Sequence, residues 1–287
     1  TVVIGKNQNP WKECKVAELK QDGGRLVRRL SGGGAVFHDL GNLNFTFLVR
    51  KDNYDIVKQL EVILRAVNRL GIPAEKSGRN DIMVAGRKFS GNAFYSDGIH
   101  NYHHGTILVN VDMSRLSHYL NVAKEKLESK GVASVRTRVV NLQEYRPDLS
   151  IDTIKEELMN AFGEVYGRKP EPRKPILIDP KEIAKLTIKF SSWEWIYGRR
   201  LAFSDCYERR FPWGNIEIQF YVSAGVIKAC TAYSDSLYTD FIEQIPTYLE
   251  GCRFTADAMV HALQKIPVEE ETSRLQKDII ILLQEEN

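Results

Sequence analysis

The chain has 287 residues, 43% hydrophobic and 27% charged, an ordinary globular balance that excludes wholesale disorder. Its 40 Lys and Arg against 37 Asp and Glu leave a net charge of +3, too mild to mark a nucleic-acid protein, and no apolar run approaches the roughly 20 residues needed to cross a bilayer. Cys14, Cys206, Cys230 and Cys252 stand far apart, with no Cys-x-x-Cys pair and no Cys/His grouping at metal spacing, which argues against a disulfide scaffold or structural zinc and suits a reducing compartment.

In chain order, Thr1-Val2-Val3-Ile4-Gly5 predicts a strand and a turn; with no initiator Met, the sequence reads as starting inside a domain. Ile56, Leu60, Ile63, Leu64 and Val67 recur at helical steps and predict a helix over 54–70, closed by Gly71 and Pro73. Ile82-Met83-Val84 and Phe89 to Tyr95 flank Ala85-Gly86-Arg87 as a hairpin, and Thr106 to Val111 is a further strand. Residues 115–129 read as two short helical pieces, and 152–166 as a helix with Ile154, Leu158, Phe162 and Val165 on one face and Gly167 behind it. Pro170, Pro172, Pro175 and Pro180 make 167–180 extended or loop-like. Beyond Trp193-Glu194-Trp195, Gly198-Arg199-Arg200 resembles a connector. Ile216, Ile218, Phe220 and Val222 then alternate with Glu217, Gln219 and Tyr221 as a half-buried strand, Ser223-Ala224-Gly225 turns into a strand over 226–231, and helices follow near 236–249, 255–265 and 270–284. The mixture without regular βαβ alternation predicts an α+β chain with a large domain over 1–197 and a small α+β domain over 198–287.

Arg28-Arg29-Leu30-Ser31-Gly32-Gly33-Gly34-Ala35-Val36-Phe37-His38-Asp39 carries the strongest chemical signal. Three glycines let backbone N–H groups wrap an anion, and either arginine could pair with phosphate or carboxylate oxygens. The run has neither GxGxxG spacing nor a GK[ST] ending, so it is no standard nucleotide fingerprint, and a bare glycine run is often only a tight turn. In the second stretch, Gly86-Arg87-Lys88-Phe89-Ser90-Gly91-Asn92-Ala93, strand alternation places Lys88 on the face opposite Phe89 with Ser90 beside it. Lysines on strands are mostly solvated; the small residues after this one leave room for a ligand, where a desolvated ammonium would hold two anions together. His103-His104-Gly105-Thr106 reads as preceding a strand, its two imidazoles projecting oppositely, which suits positioning or structural roles better than metal binding. Residues 130–138 form either a loop that closes over phosphate or a solvated connector.

These segments in this order resemble the lipoate–protein ligase family over nearly the whole chain: Asn9-Pro10-Trp11-Lys12-Glu13-Cys14, the Arg28 to Asp39 loop with Gly41-Asn42, Gly78-Arg79-Asn80-Asp81, Lys88 to Ala93, His103 to Thr106, Ser134 to Leu142 and Ser192 to Trp195. The resemblance implies a catalytic domain related to biotin protein ligases plus a small C-terminal domain. It also implies two half-reactions: lipoate, or octanoate, with ATP and Mg²⁺ gives the acyl-adenylate, which then acylates a lysine of an apo lipoyl domain. Acceptors would be lipoyl domains of 2-oxoacid dehydrogenase complexes and the glycine-cleavage H protein. Lys88 becomes the catalytic lysine, contacting both the carboxyl oxygen and the α-phosphate. Arg29, Gly34, Ala35, Val36 and Phe37 match ATP-binding positions; Asn44, Asn80, Asp81, Ala93 and His104 match positions lining the acyl-adenylate site, with Arg29 and Lys88 also placed on lipoate. Asp81 is open between orienting the incoming lysine and assisting Mg²⁺, and Arg136 and Arg138 fall in the segment resembling the adenylate-capping loop. The family carries a strand and a helix ahead of the position of Thr1 that help wall the lipoyl pocket. The resemblance further implies a monomer in the cytoplasm, a mitochondrial location remaining open, with neither nucleic-acid nor membrane partners. A transferase using preformed lipoyl-AMP and a silent lipoate- or adenylate-binding regulator are the rival functions. Octanoyl transfer through a cysteine thioester fits poorly, because it needs a placed nucleophilic Cys, whereas Cys206, Cys230 and Cys252 lie beyond the catalytic-domain motifs and Cys14 sits in the Pro-Trp-Lys-Glu-Cys segment.

Overall fold

The computed structural model describes residues 1–78, 81–121, 138–172, 179–198 and 203–286. The chain divides into two compact units, one made of Thr1–Val3, Cys14–Leu26 and Val36–Ile188, the other of Ile4–Glu13, Val27–Ala35 and Lys189–Asn287.

In the first unit, β1 (Val2–Ile4) pairs antiparallel with β3 (Val36–Phe37), Val2 opposite Phe37, and the short helix α2 (Val16–Gln21) buries Val16 and Leu19. A five-stranded antiparallel sheet runs in the order β4 (Asn42–Arg50), β8 (His100–Leu108), β7 (Arg87–Ser96), β6 (Asp81–Val84), β5 (Ala74–Ser77). α3 (Ile56–Arg69) begins where the Asp55 carboxylate accepts from the Lys58 N–H at 3.0 Å, and Gly71 behind it has φ +79°. Its apolar face, Leu60, Ile63 and Val67, packs on Ile82, Val84, Phe89 and Ile107 of the sheet and on Ile154 of α5 (Ile151–Tyr166). α5 starts on the Ser150 hydroxyl and ends at Gly167, which has φ +68°. The β6–β7 turn takes both Ala85 (φ +48°) and Gly86 (φ +74°) into the left-handed region, which matches the twist of a two-residue hairpin. Helix α4 (Met113–Tyr119) accounts for the start of the helical reading over 115–129; Leu120 and Asn121 are not helical, and 122–129 lie outside the described residues.

One expectation in this unit is corrected, and one helix lies outside the sequence reading. His103 and His104 lie inside β8 rather than ahead of it, because pairing with β4 runs through to Arg50 opposite His100. Helix α6 (Pro180–Ser191), in which no residue is buried, is not visible in the sequence pattern.

The second unit contains the short helix α7 (Trp193–Tyr197) and a meander of β9 (Asp205–Phe211), β10 (Gly214–Ser223) and β11 (Val226–Ser234). Against one face of the meander lie α8 (Thr239–Leu249), α9 (Ala256–Leu263) and α10 (Glu270–Glu285). Ile216, Ile218 and Phe220 meet Ile242, Ile245, Met259, Ile279 and Leu282 there. The reading of β10 as half-buried is corrected: Glu217 is 3% and Gln219 7% exposed. The Lys12 ammonium, on α1 (Pro10–Glu13), stands 3.1 Å from Glu217 and 2.8 Å from Glu208, and the Asn7 carbonyl accepts from the Ser234 N–H at 2.8 Å. The N-terminal segment of this unit therefore covers the polar face and supplies the cation a buried carboxylate requires.

Antiparallel sheets carrying helices make the chain α+β. Among the described residues no helix is long and apolar enough to cross a membrane.

Candidate functional site

In the first unit the strand register gathers the candidate residues. Ala93 lies opposite His104, and His104 opposite Thr46; Asn44 lies opposite Thr106, and Asp81 opposite Gly91. Since side chains alternate along a strand, Asn44, Ala93, His104 and Asp81 share one face of the sheet. Asn44 accepts at Oδ1 from Asn42 Nδ2 at 2.9 Å, and its amide nitrogen is 3.4 Å from His38 Nδ1.

Lys88 reaches the same face by an irregularity. Met83 is paired with Lys88 but Ile82 with Ser90, so Phe89 is an extra residue in β7 and the alternation resets after it. The ammonium stands 2.7 Å from Asp81 Oδ1, and a Cβ added at Gly91 would come within 2.9 Å of both Lys88 Cε and Nζ. The cation thus rests in the space where a side chain at 91 would be. The bulge also corrects the placing of Ser90 beside Lys88: Ser90 is fully buried on the core face with Phe89. Behind the lysine, its backbone carbonyl accepts from the Val140 N–H at 2.9 Å, anchoring the chain just past Arg138. Asn80 and Arg136 lie outside the described residues.

The opposite face carries a buried polar chain. His103 is fully buried, with Nε2 2.8 Å from Asn92 Oδ1 and Nδ1 3.2 Å from the Gln59 amide oxygen, and Phe45, Phe47 and Phe94 close around the ring. Burial pushes the imidazole down to about 3. A free imidazole protonates near 6.5, so the unfolded chain takes up a proton that the folded one refuses, and folding stability should fall as pH drops below 6.5. The loss accrues at about 1.4 kcal/mol per pH unit down toward the folded value. Urea midpoints between pH 7.5 and 4.5 should fall less steeply for His103→Phe than for the wild type; parallel slopes would contradict the assignment.

In the second unit the two adjacent arginines part company. Arg28, the last residue of β2 (Leu26–Arg28), is half-buried and donates to the carbonyls of Gly5, Lys6, Gln8, Trp195 and Ile196 at 2.7–3.1 Å. The Trp195 indole N–H returns a bond to the Arg28 carbonyl at 2.9 Å. Desolvation lowers the guanidinium to about 10, still charged at neutral pH. Of the two arginines offered as anion partners, Arg28 has its fork committed to main chain. Arg29 folds across the glycine turn, donating to the Gly32 carbonyl at 2.7 Å and the Gly34 carbonyl at 2.8 Å.

The three glycines have separable reasons. A Cβ at Gly32 would lie 2.2 Å from the Ser236 carbonyl oxygen, and Gly33 has φ +88°. Gly34 is exposed and a Cβ there would meet nothing within 4 Å, so packing does not demand glycine at this position. In the first unit, Val36 is half-buried in β3 and Phe37 is buried against Tyr119, their ring centroids 5.7 Å apart, so backbone is the part of Phe37 left for a ligand. Ala35 is half-buried.

Residues 1–163 match the family described as the lipoyl protein ligase A/B catalytic domain, and 201–283 match the bacterial lipoate protein ligase C-terminus. The chain belongs to the lipoate–protein ligase family. It is similar to LipL1 of P. falciparum, solved in complex with lipoate, at 29% identity and TM-score 0.84 over 99% of this chain and 84% of that one. A lipoate-protein ligase A bound with ATP is 28% identical over 69% of this chain and 82% of that one, with TM-score 0.60. The bi-partite lipoate protein ligase of Thermoplasma acidophilum, described with its E2 lipoyl domain, is 30% identical over 70% and 82%, also with TM-score 0.60.

For a lipoate–protein ligase, the informative parts that sequence reasoning missed are the bulge, the Gly91 gap and the Gln59–His103–Asn92 chain. The small residues Gly91 and Gly105 hint at them in the sequence. Among the described residues no three His, Cys, Asp or Glu side chains group as a metal site would require, and the Asp81 carboxylate is already beside an ammonium. Asp81 by itself would not hold a resident Mg²⁺; it would meet the ion only together with the nucleotide's phosphates.

Proposed function

We propose that this ligase activates lipoate with ATP and transfers the lipoyl group to a lysine of apo lipoyl domains, the salvage reaction in which lipoyl-AMP is the intermediate. The observation that carries the proposal is the Lys88 ammonium, held over Gly91 and 2.7 Å from Asp81 within the matched catalytic domain. Relatives crystallised with lipoate and with ATP, and one described with its E2 lipoyl domain, support the choice of substrates and acceptor.

In the first step a lipoate carboxylate oxygen attacks the α-phosphorus, and the bond to the β-phosphate bridging oxygen breaks, releasing pyrophosphate. Two anions must approach, and a fixed cation between them lowers that repulsion. Lys88 fills this role by turning from Asp81 toward the reacting oxygens, and it polarises the mixed anhydride for the second step. There the acceptor amine attacks the acyl carbon and AMP leaves; Asp81, freed of its partner, orients the amine. Arg29 and the backbone of 34–37 serve ATP, Mg²⁺ arriving with the nucleotide's phosphates. Asn44, Ala93 and His104 line the acyl side, Asn80 and Asp81 serve the adenylate, and Arg136 and Arg138 belong to the capping segment. Octanoate is an alternative acyl group. The acceptors are lipoyl domains of 2-oxoacid dehydrogenases and the glycine-cleavage H protein, met by a monomer in the cytoplasm.

Lipoate-dependent ATP–pyrophosphate exchange, followed by mass measurement of an apo lipoyl domain, tests this. Exchange and a lipoyl mass increase support it. Acylation only from supplied lipoyl-AMP would make the protein a transferase, and neither signal would make it a binding protein. Gly91→Ala supplies a finer check. The methyl would displace the ammonium, while Gly91 lies outside the left-handed backbone region that would strain an alanine. Exchange should fall by about 10²-fold from a displacement near 1 Å, with the melting temperature almost unchanged. Wild-type exchange in the Gly91→Ala enzyme would show that Lys88 does not act from this position.

A further inference from the structure

Strand β7 changes partners in its middle. Its pairing with β6 ends at Gly91, and its pairing with β8 begins at Asn92 opposite Gly105. Among the described residues no residue of β7 is paired in both registers, so their ladder alone does not fix the half bearing Lys88 and Asp81 relative to the half bearing Ala93 and His104. What stands at the pivot is a side-chain bond. A Cβ at Gly105 would lie 2.5 Å from Phe45 Cζ, 2.7 Å from the Gly91 carbonyl oxygen and 2.8 Å from Asn92 Oδ1, so the Asn92 amide shares the gap that Gly105 leaves with the edge of the Phe45 ring. The same amide oxygen is 2.8 Å from His103 Nε2.

The hydrogen-bonding arithmetic favours one tautomer. A neutral imidazole has one N–H, yet both ring nitrogens of His103 face amide oxygens, while the buried Gln59 Nε2 has no partner among the described residues. Exchanging the two ends of the Gln59 amide resolves the first conflict: Gln59 Nε2–H donates to His103 Nδ1, and His103 Nε2–H donates to Asn92 Oδ1, and the end left without a partner is then a carbonyl oxygen, which interiors tolerate better than an orphaned N–H. The phenylalanines around the ring leave it no other partner direction. Gln59, also fully buried, lies on α3, so the chain ties the helix to the pivot.

We propose that His103 is a positioning residue of the ligase chemistry: as the Nε2–H tautomer it holds the Asn92 amide in the gap at Gly105, and thereby fixes the Gly91 pivot over which the Lys88 ammonium rests. The inference rests on the adenylation reading above and adds a residue that touches no substrate. A histidine that merely fills the core would leave the rate indifferent to which nitrogen donates.

His103→Phe keeps an aromatic ring in the Phe45, Phe47 and Phe94 box but removes the donor. Single-turnover pyrophosphate release at saturating lipoate and ATP should fall about 10- to 100-fold, with the ATP KM within about threefold of wild type. His103→Gln, whose amide reaches the Nε2 position, should recover most of the rate; His103→Asn, which mimics Nδ1, should not. If His103→Phe fails to fold, Asn92→Ala replaces it, removing the acceptor and leaving the imidazole in place. A wild-type rate in His103→Phe or Asn92→Ala, or equal rates for the Gln and Asn variants, overturns the proposal. Imidazole ¹⁵N spectra of the wild type should show a protonated Nε2 and a bare Nδ1 at neutral pH; the reverse tautomer also overturns it. Absence of exchange in the wild type itself would refute the adenylation reading and the catalytic role together, while the ¹⁵N spectra still decide the bond to Asn92.

Discussion

Replacing Lys88 by alanine is expected to reduce lipoate-dependent pyrophosphate release by at least 10²- to 10³-fold, the scale on which one charge-stabilising donor acts in a transition state. The fold should survive. The Lys88–Asp81 pair is about one-third exposed on both sides, so breaking it costs on the order of 1 kcal/mol or less. Lys88→Arg sharpens the test. It keeps the charge, but a planar guanidinium is bulkier than an ammonium, and the space over Gly91 is sized to an ammonium with a bare Cα beneath it. If charge alone mattered, arginine would rescue; if the position over Gly91 matters, arginine should remain impaired by at least 10-fold. Supplying lipoyl-AMP and following lipoyl-domain mass then separates the half-reactions, since Lys88→Ala should slow transfer as well by leaving the mixed anhydride unpolarised. Normal pyrophosphate release by a folded Lys88→Ala protein would sink the assignment.

What the sequence disclosed about this site follows the range of the interactions involved. α3, α5 and the Ala85-Gly86 hairpin rest on local spacing and turn chemistry, and they appear where periodicity and glycine place them. The face shared by Asp81, Ala93 and His104 needs register, which local alternation does not specify. The bulge at Phe89 then breaks the alternation itself, sending Ser90 inward although strict period two puts it beside Lys88. β10 departs in the opposite sense: Glu217 and Gln219 alternate as a solvent face does, yet a segment some 200 residues away in sequence covers them and brings Lys12 as the counter-charge. Adjacent Arg28 and Arg29 are indistinguishable by residue type, and only the location of unpaired carbonyls tells them apart.

Arg28 carries the largest expected effect on stability. One guanidinium gathers main-chain carbonyls from the Ile4–Glu13 segment and from Trp195 and Ile196, three separate stretches of the second unit counting its own. Arg28→Ala takes a donor from five carbonyls on buried or half-buried residues, of which that of Gly5 keeps a backbone partner, the Gln8 N–H at 3.2 Å. At about 1 kcal/mol for each that water cannot reach, and more for bonds to a charged donor, the loss should total about 3–5 kcal/mol. Arg28→Lys preserves the charge but not the fork, so three rotatable donors on a single nitrogen cannot span the Gly5-to-Gln8 and Trp195-to-Ile196 carbonyls together, and about half of the loss should remain. Urea unfolding followed by tryptophan fluorescence reads this, because Trp195 is itself bonded to the Arg28 carbonyl. A phosphate-binding arginine would behave otherwise, raising the ATP KM with the unfolding midpoint untouched. If Arg28→Lys shows that pattern, the carbonyl cluster is incidental and Arg28 returns to the substrate site; if the midpoint falls and the KM holds, the first arginine of the pair serves the fold and Arg29 alone is left for the nucleotide.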